Sequence, residues 1–501
     1  MSARPLWPRI PAGFVRAVLA GHSALGLAFA ALIYLVCFSG ALAVFTDEFR
    51  RWENPGSPRV TSITPDLIDK AFGQTLERAP WAHHVFITLP TEDLPQMRVM
   101  VQPDHEDHAR KDKTWMVDAE GNLTTEVVDA WTNFQAYLHT RLHLPGMWGG
   151  FLVGLTGVAL LSSLVSGVLS HPRVFKDAFA FRMGSNKRLQ EADLHNRVGI
   201  WGLPFHLLVS LTGAFLGLTT LIVGVLALAV YKGDVEKAYA LFTGPHPVDD
   251  PRPAPRPNLN ALLMDLQTRE PDARVTYIMI EHPGEEGASV SVSAQTPHKL
   301  SRGEMHVYDR KAVYLGNWGW EKGTAGQKIY SALSPLHFGW FGGWAIKLVY
   351  GVLGLGLAAV TSSGVAIWLA RRRDKGRPAP IFERLWAATV WSQPFAYALT
   401  AGLALITRSD TALIPLWLGI TVASLWLAAL VPAKPISVGL RLATAAGLIG
   451  TVGIHLVLLL SFVQADPVVW FVDCAVALMA CALVVSTLWS STSPHGTRQT
   501  G

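Results

Sequence analysis

The sequence predicts a polytopic α-helical membrane protein of about eight transmembrane helices. It is built as a duplicated four-helix core, two α+β modules outside the membrane, and four additional helices. Three observations predict this: a charge-poor composition, a series of long uncharged apolar runs, and an internal repeat that places histidines at equivalent positions. Half of the 501 residues are hydrophobic and only 16% are charged, against about 25% in soluble proteins. Seven runs contain no Asp, Glu, Lys or Arg: Ala17–Thr46, Leu142–Pro172, Val198–Tyr231, Leu348–Ala370, Leu385–Thr407, Thr411–Ala433 and Leu442–Ala465. An eighth, Pro467–Ser490, is interrupted only by Asp473. Each is long enough for the ~20 residues that cross a bilayer. A secreted enzyme, a soluble nucleotide-binding enzyme and a nucleic-acid binder are excluded on this pattern.

The three cysteines, Cys37, Cys474 and Cys481, all lie inside apolar runs. That rules out a disulfide framework and a Cys-x2-Cys zinc site. The first run is too long for a signal-peptide core and reads as a retained helix. Positive charge marks one side of the membrane. Arg4, Arg9 and Arg16 precede the first run, six basic residues against three acids fill 173–197, and Arg371-Arg-Arg373 closes the fourth run. The positive-inside rule puts these segments and both termini in the cytoplasm. The long loops 47–141 and 232–340 then lie outside, and the first carries sixteen acids against ten Lys and Arg. The expected divisions are 1–46, 47–138, 139–231, 232–335, 336–373 and 374–501.

Each outer loop has the pattern of a small fold. Thr64-Pro-Asp opens a helix to Ala79 whose apolar face is Leu67, Ile68, Ala71, Phe72 and Leu76. Strands are expected at 84–89, 96–102, 114–118 and 123–128. The second loop repeats the order, with a helix at 258–269 and strands at 274–281, 288–294, 304–308 and 312–316. A proline-rich linker, 245–257, leads into it.

The repeat extends to the membrane runs. His22-x3-Gly26 with Ser39-Gly40 matches His195-x3-Gly199 with Thr212-Gly213 without a gap. Leu142-His143 with Gly149-Gly150 and Ser166-Gly167 matches Leu336-His337 with Gly342-Gly343 and Ser363-Gly364. The core is therefore a doubled unit of span, outer module, span.

Of 17 histidines, those at repeat-equivalent span ends are candidate ligands, because ionisable residues at membrane depth are costly and serve function by default. His22 and His195 form an inner level. His337, with His139 or His143, forms an outer one; His139 and His143 share a helical face at i, i+4, and only one of the two needs to bind. Two facing imidazoles in an apolar helix bundle, with glycines nearby, suit two bis-histidine b haems. His171 and His206 lack repeat partners and are weaker candidates, as ligands or as support for them. Asp104-His-Glu-Asp-His108 has donors for a divalent ion, but such runs are more often solvated loops, so no separate metal site is assigned. Gly354-Leu-Gly356 lies inside a span and is no dinucleotide fingerprint. No catalytic residue is singled out. Most of the 18 tryptophans read as interfacial anchors.

Taken together, Leu138-His139, Leu142-His-Leu-Pro-Gly146, Val165-Ser-Gly167, the stretch from His171 to Arg182, Leu194-His-Asn-Arg-Val-Gly199, Pro204-Phe-His206 and Leu336-His-Phe-Gly339 resemble the PepSY-associated transmembrane proteins. These include iron-regulated inner-membrane proteins and ferric-siderophore reductases. The resemblance runs from about His22 to Arg373. It implies a bacterial inner-membrane location, two periplasmic PepSY modules, a four-helix core with two b haems, and electron delivery to a periplasmic ferric siderophore or similar Fe(III) chelate. With no nucleotide motif in the sequence, the expected donor is membrane quinol or a separate reductase; the surrounding partner is the lipid bilayer. The rival reading is a non-redox PepSY-type binding, regulatory or permease-like membrane protein. The histidine pairing is the feature that such a protein does not require.

Overall fold

Apolar runs of 30 residues or more cannot stay straight where a glycine or a bulky ring interrupts their packing, and both long runs of the repeat break in the same way. In the computed structural model, which describes residues 11–170, 187–239, 250–319, 321–462 and 465–492, the first run forms helices α1 (Ala12–Ala28) and α2 (Ala30–Ala43), bent by 67°. The third forms α7 (Lys187–Trp201) and α8 (Leu203–Gly217), bent by 68°. The breaks fall at Phe29 and Gly202, which are equivalent in the repeat. A second equivalent break starts new helices at Thr46 and Thr219, α3 (Thr46–Glu53) and α9 (Thr219–Val230). His171 and the basic segment 173–182 lie outside the described residues.

The described residues divide into two compact units. Residues to Pro55, Asp129–Gly217 and those from Leu348 on form a helical unit, and Gly56–Val128 with Leu218–Lys347 form a sheet unit. The first segment of the sheet unit is shorter than its loop suggested: α3 and α5 (Ala130–Arg141), expected outside, pack among the span helices.

In the helical unit, small residues set the crossings of the duplicated core. A Cβ on Gly157 of α6 (Trp148–Ser170) would lie 3.0 Å from the Ala214 nitrogen, and one on Gly354 of α13 (Gly343–Asp374) would lie 2.9 Å from the Ala41 Cβ. The same contact is thus made twice, by repeat-equivalent residues, as close helix approach through glycine demands. Gly217 is tighter still, because its Cβ would stand 2.6 Å from the Gly154 Cα. No rotamer relieves a backbone clash, so Gly217→Leu is expected to cost at least about 2 kcal/mol. Thermal unfolding and size-exclusion profiles of detergent-purified protein check this.

Among the described residues, five helices are long and apolar enough to cross a membrane: α6, α13, α15 (Leu413–Leu430), α16 (Ala433–Leu459) and α17 (Pro467–Thr492, apolar to Trp489). The number is seven if each bent pair is one span. The expected span at Leu385–Thr407 is α14 (Pro380–Thr407), a 28-residue helix. It has the length, at 1.5 Å per residue, but its buried face carries Ser392, Gln393, Tyr397 and Thr400.

These last helices read as an appendage in the sequence. They are bolted to the core through α3. Arg51 donates twice to Asp466, at 2.6 and 2.9 Å. Trp52 Nε1 donates to Asp473 at 2.8 Å, and His455 Nδ1 donates to the same carboxylate at 2.8 Å. His455 Nε2 donates to the Trp52 carbonyl at 3.0 Å. Glu53 accepts from the backbone nitrogens of Trp131 and Thr132, each at 2.8 Å, and so caps the start of α5. Tyr34 donates to the Val390 carbonyl at 2.9 Å, joining α2 to α14.

The sheet unit follows the expected strand order with small shifts. The strands are β1 (His84–Thr88), β2 (Met97–Gln102), β3 (Lys113–Val117), β4 (Leu123–Glu126), β5 (Arg274–Glu281), β6 (Ser289–Gln295), β7 (Glu304–Asp309) and β8 (Tyr314–Gly319). Thr64 caps α4 (Pro65–Arg78) by accepting from the Leu67 nitrogen, and Asn258 caps α11 (Leu259–Arg269) through Ala261; α10 is the short Val235–Tyr239. The two expected modules are not separate sheets. Antiparallel pairing of β1 with β5 fuses them into one eight-stranded sheet, ordered β4-β3-β2-β1-β5-β6-β7-β8. Its core joins Phe72 and Ile68 of α4 and Leu259, Leu262 and Leu266 of α11 to Val85, Ile87, Ile278 and Ile280.

Candidate functional site

Each Ser-Gly pair marked by the repeat seats a histidine. His22 of α1 donates from Nδ1 to the Ser163 carbonyl of α6 at 2.9 Å, with Ser166 Oγ at 3.3 Å. His195 of α7 donates from Nδ1 to the Val360 carbonyl of α13 at 3.0 Å, with Ser363 Oγ at 3.1 Å. Beneath the rings lie Gly167 and Gly364. A Cβ there would come within 3.3 Å of His22 Cε1 and 3.2 Å of His195 Cε1. All these partners are equivalent between the two repeats.

This geometry decides the tautomer. A carbonyl can only accept, so the ring proton sits on Nδ1 and the lone pair on Nε2. That is the arrangement of an imidazole ready to ligate a metal, with its other nitrogen held on a backbone oxygen.

Both histidines line one cavity of about 400 Å³ between α1, α6, α7 and α13. Its walls are apolar: Leu27, Leu164, Ile200, Leu357 and Val365, with Gly26, Gly199, Gly167 and Gly364 leaving backbone open to a flat ligand. Ser23 and Asn196, at repeat-equivalent positions, line it too, with Trp368 and Arg371. The volume is within the ordinary range for cofactor sites. The residues fit a bis-histidine macrocycle: two tautomer-fixed imidazoles lining one cavity, a glycine cradle, apolar walls and one cation suited to a carboxylate.

A third seat lies elsewhere in the helical unit. His139 of α5 donates from Nδ1 to the Val36 carbonyl at 3.0 Å, with Ser39 Oγ at 3.5 Å and Gly40 beneath it. His143 is different. Leu142 and His143 both adopt positive φ, 51° and 52°, ending α5 in two left-handed residues. This turns the His143 ring back to stack on Phe134, centroids 4.9 Å apart, with Nε2 buried and making no hydrogen bond. His337 belongs to the sheet unit. It lies inside α12 (Ala325–Phe338), two residues before the left-handed cap Gly339. His139 likewise precedes its left-handed cap, Leu142, whereas His143 follows it, so helix position aligns His337 with His139.

His206 is fully buried beside the α7–α8 bend. Its ring packs on Gly202, where a Cβ would come within 2.4 Å, and neither ring nitrogen makes a hydrogen bond of ordinary geometry. It does not line the cavity of His22 and His195. Sequence reasoning found the histidines but missed Arg371 and Trp368 as lining residues. It also missed what the Ser-Gly pairs do, although the repeat displayed them.

Residues 19–371 match the PepSY-associated TM region family. A relative in Pseudomonas aeruginosa, the uncharacterized protein PA4219, is 32% identical over 294 residues, covering 54% of this chain and 70% of its own length. The match takes in both halves of the repeat and every histidine seat described above, and the chain belongs to the PepSY-associated transmembrane family.

Proposed function

We propose that the chain is a di-haem b electron-transfer protein of the bacterial inner membrane, passing electrons from quinol or a cytoplasmic-side reductase to a periplasmic ferric chelate of the siderophore type. The observation that carries this reading is the pair His22 and His195, each with Nδ1 on a backbone carbonyl and both lining one glycine-walled apolar cavity. A binding or permease-like protein has no use for two tautomer-fixed imidazoles related by a repeat.

When bound, b haem supplies a one-electron couple at its iron. The chain does the rest. His22 and His195 would hold the haem through Nε2, both lining the inner cavity. Ser166 and Ser363 steady the rings, and the aliphatic walls keep water away. Arg371, among the lining residues, would pair with a propionate. For the outer level the candidate ligands are His337 and one of His139 and His143, taken from their equivalence in the repeat. From His22 to Ser39, where His139 is seated, the span is at most about 26 Å at 1.5 Å per residue, so the path crosses the membrane in two short steps. One electron then converts Fe(III) to Fe(II), which hard oxygen donors hold far less well.

Purified protein is expected to give a split reduced α-band, and the dithionite-reduced form to be reoxidised by ferric chelates in stopped flow. Absence of a haem spectrum after expression with haem supplementation overturns the proposal and favours the non-redox binding reading. A haem spectrum without reoxidation by any of a panel of ferric chelates removes the reductase assignment alone.

A further inference from the structure

Three strand ends meet at one end of the fused sheet, and they bring histidines together from both halves of the chain. His83 and His84 open β1, Asp104 follows β2, and His282 follows β5; in register, His84 stands opposite Gln102 on one side and Glu281 on the other. The His83 ring centroid lies 4.2 Å from that of His282 and 4.7 Å from that of His84.

Each ring has a carboxylate on one nitrogen. His83 Nε2 is 3.3 Å from Asp104 Oδ2, His282 Nδ1 is 3.4 Å from Glu285 Oε2, and His84 Nε2 is 3.8 Å from Glu281 Oε1, an ion-pair distance. The His83 and His84 Nδ1 atoms face each other 3.2 Å apart. Such a pair is bridged either by one shared proton or by one cation that both nitrogens ligate. Two imidazole nitrogens on one tetrahedral ion, each about 2.1 Å from it, would stand about 3.4 Å apart. A carboxylate behind each imidazole is also the usual outer shell of a metal-bound histidine.

We propose that His83, His84 and His282 bind a late first-row divalent cation of the copper(II) or zinc(II) class, with Asp104, Glu281 and Glu285 orienting the rings. Three imidazoles select such borderline ions over magnesium or calcium. No three ligands already surround one point among the described residues, so the His282 ring turns to join the other two. The site is independent of the haem proposal, since none of its residues lies on the membrane helices.

The test uses tag-free full-length protein in detergent, stripped with chelator and titrated with Cu(II) and Zn(II). One Cu(II) per chain is expected, with nitrogen hyperfine structure in its electron paramagnetic resonance spectrum. Asp104→Asn, at an exposed position, is expected to weaken binding about 10- to 100-fold without changing the circular dichroism. His83→Ala with His282→Ala is expected to abolish stoichiometric binding. No bound ion at micromolar metal, or unchanged affinity in the folded Asp104→Asn and histidine variants, overturns the proposal and leaves the cluster a hydrogen-bonding network alone.

Discussion

His22→Ala and His195→Ala are expected to remove the same haem. Either substitution lowers haem per protein to about half that of the parent and leaves the same residual spectrum, because a bis-histidine b centre needs both axial nitrogens. The basis is the common cavity and the mirrored anchoring of the two rings on Ser163 and Val360. A merely structural pair of histidines would give two different partial losses of stability and no selective spectral change. Added imidazole, small enough to occupy the space vacated in either variant, is expected to restore part of the lost band. Haem content near that of the parent in either variant, or distinct residual spectra in the two, defeats the pairing.

Asp473→Ala is expected to be the most destabilising single change in the last four helices. The carboxylate is almost fully buried and accepts from both Trp52 Nε1 and His455 Nδ1. His455, wholly buried, reaches Asp473 with Nδ1 and the Trp52 carbonyl with Nε2. Removing one partner of a buried, hydrogen-bonded charge pair costs about 3–5 kcal/mol. Thermal unfolding in detergent reads this directly. Because the residues act as one unit, the double variant His455→Ala with Asp473→Ala is expected to lose less than the sum of the single losses. Additive losses would show that the pair is not coupled.

Membrane character, the order of the outer elements and the repeat were legible because they depend on local pattern: uncharged runs, N-caps such as Thr64 and Asn258, and His-x3-Gly spacing. The histidine seats were half legible. Ser166-Gly167 and Ser363-Gly364 stood out as span ends, but that a ring from another helix rests on each is a tertiary fact with no local sign. The choice between His139 and His143 depended on two left-handed residues after Arg141, where a leucine and a histidine take a conformation that glycine usually signals. The joining of the two outer modules was invisible, since strand partners many residues apart share no motif. The bolt through α3 was hidden for the same reason: Arg51 and Trp52 read as a polar helix end until their partners more than 400 residues away, Asp466, Asp473 and His455, are seen beside them.

The pairing of β1 with β5 also closes an edge. The two strands are counterparts in the repeat, and they run antiparallel with Phe86 opposite Met279, near the middle of each. A strand lying antiparallel to its own counterpart is what a two-fold axis produces when two identical chains meet edge to edge. A single half, released from the other, would bare the edge of Val85 and Ile87 with unpaired backbone groups. In this chain the edge that one half alone would leave open is instead the middle of a single eight-stranded sheet.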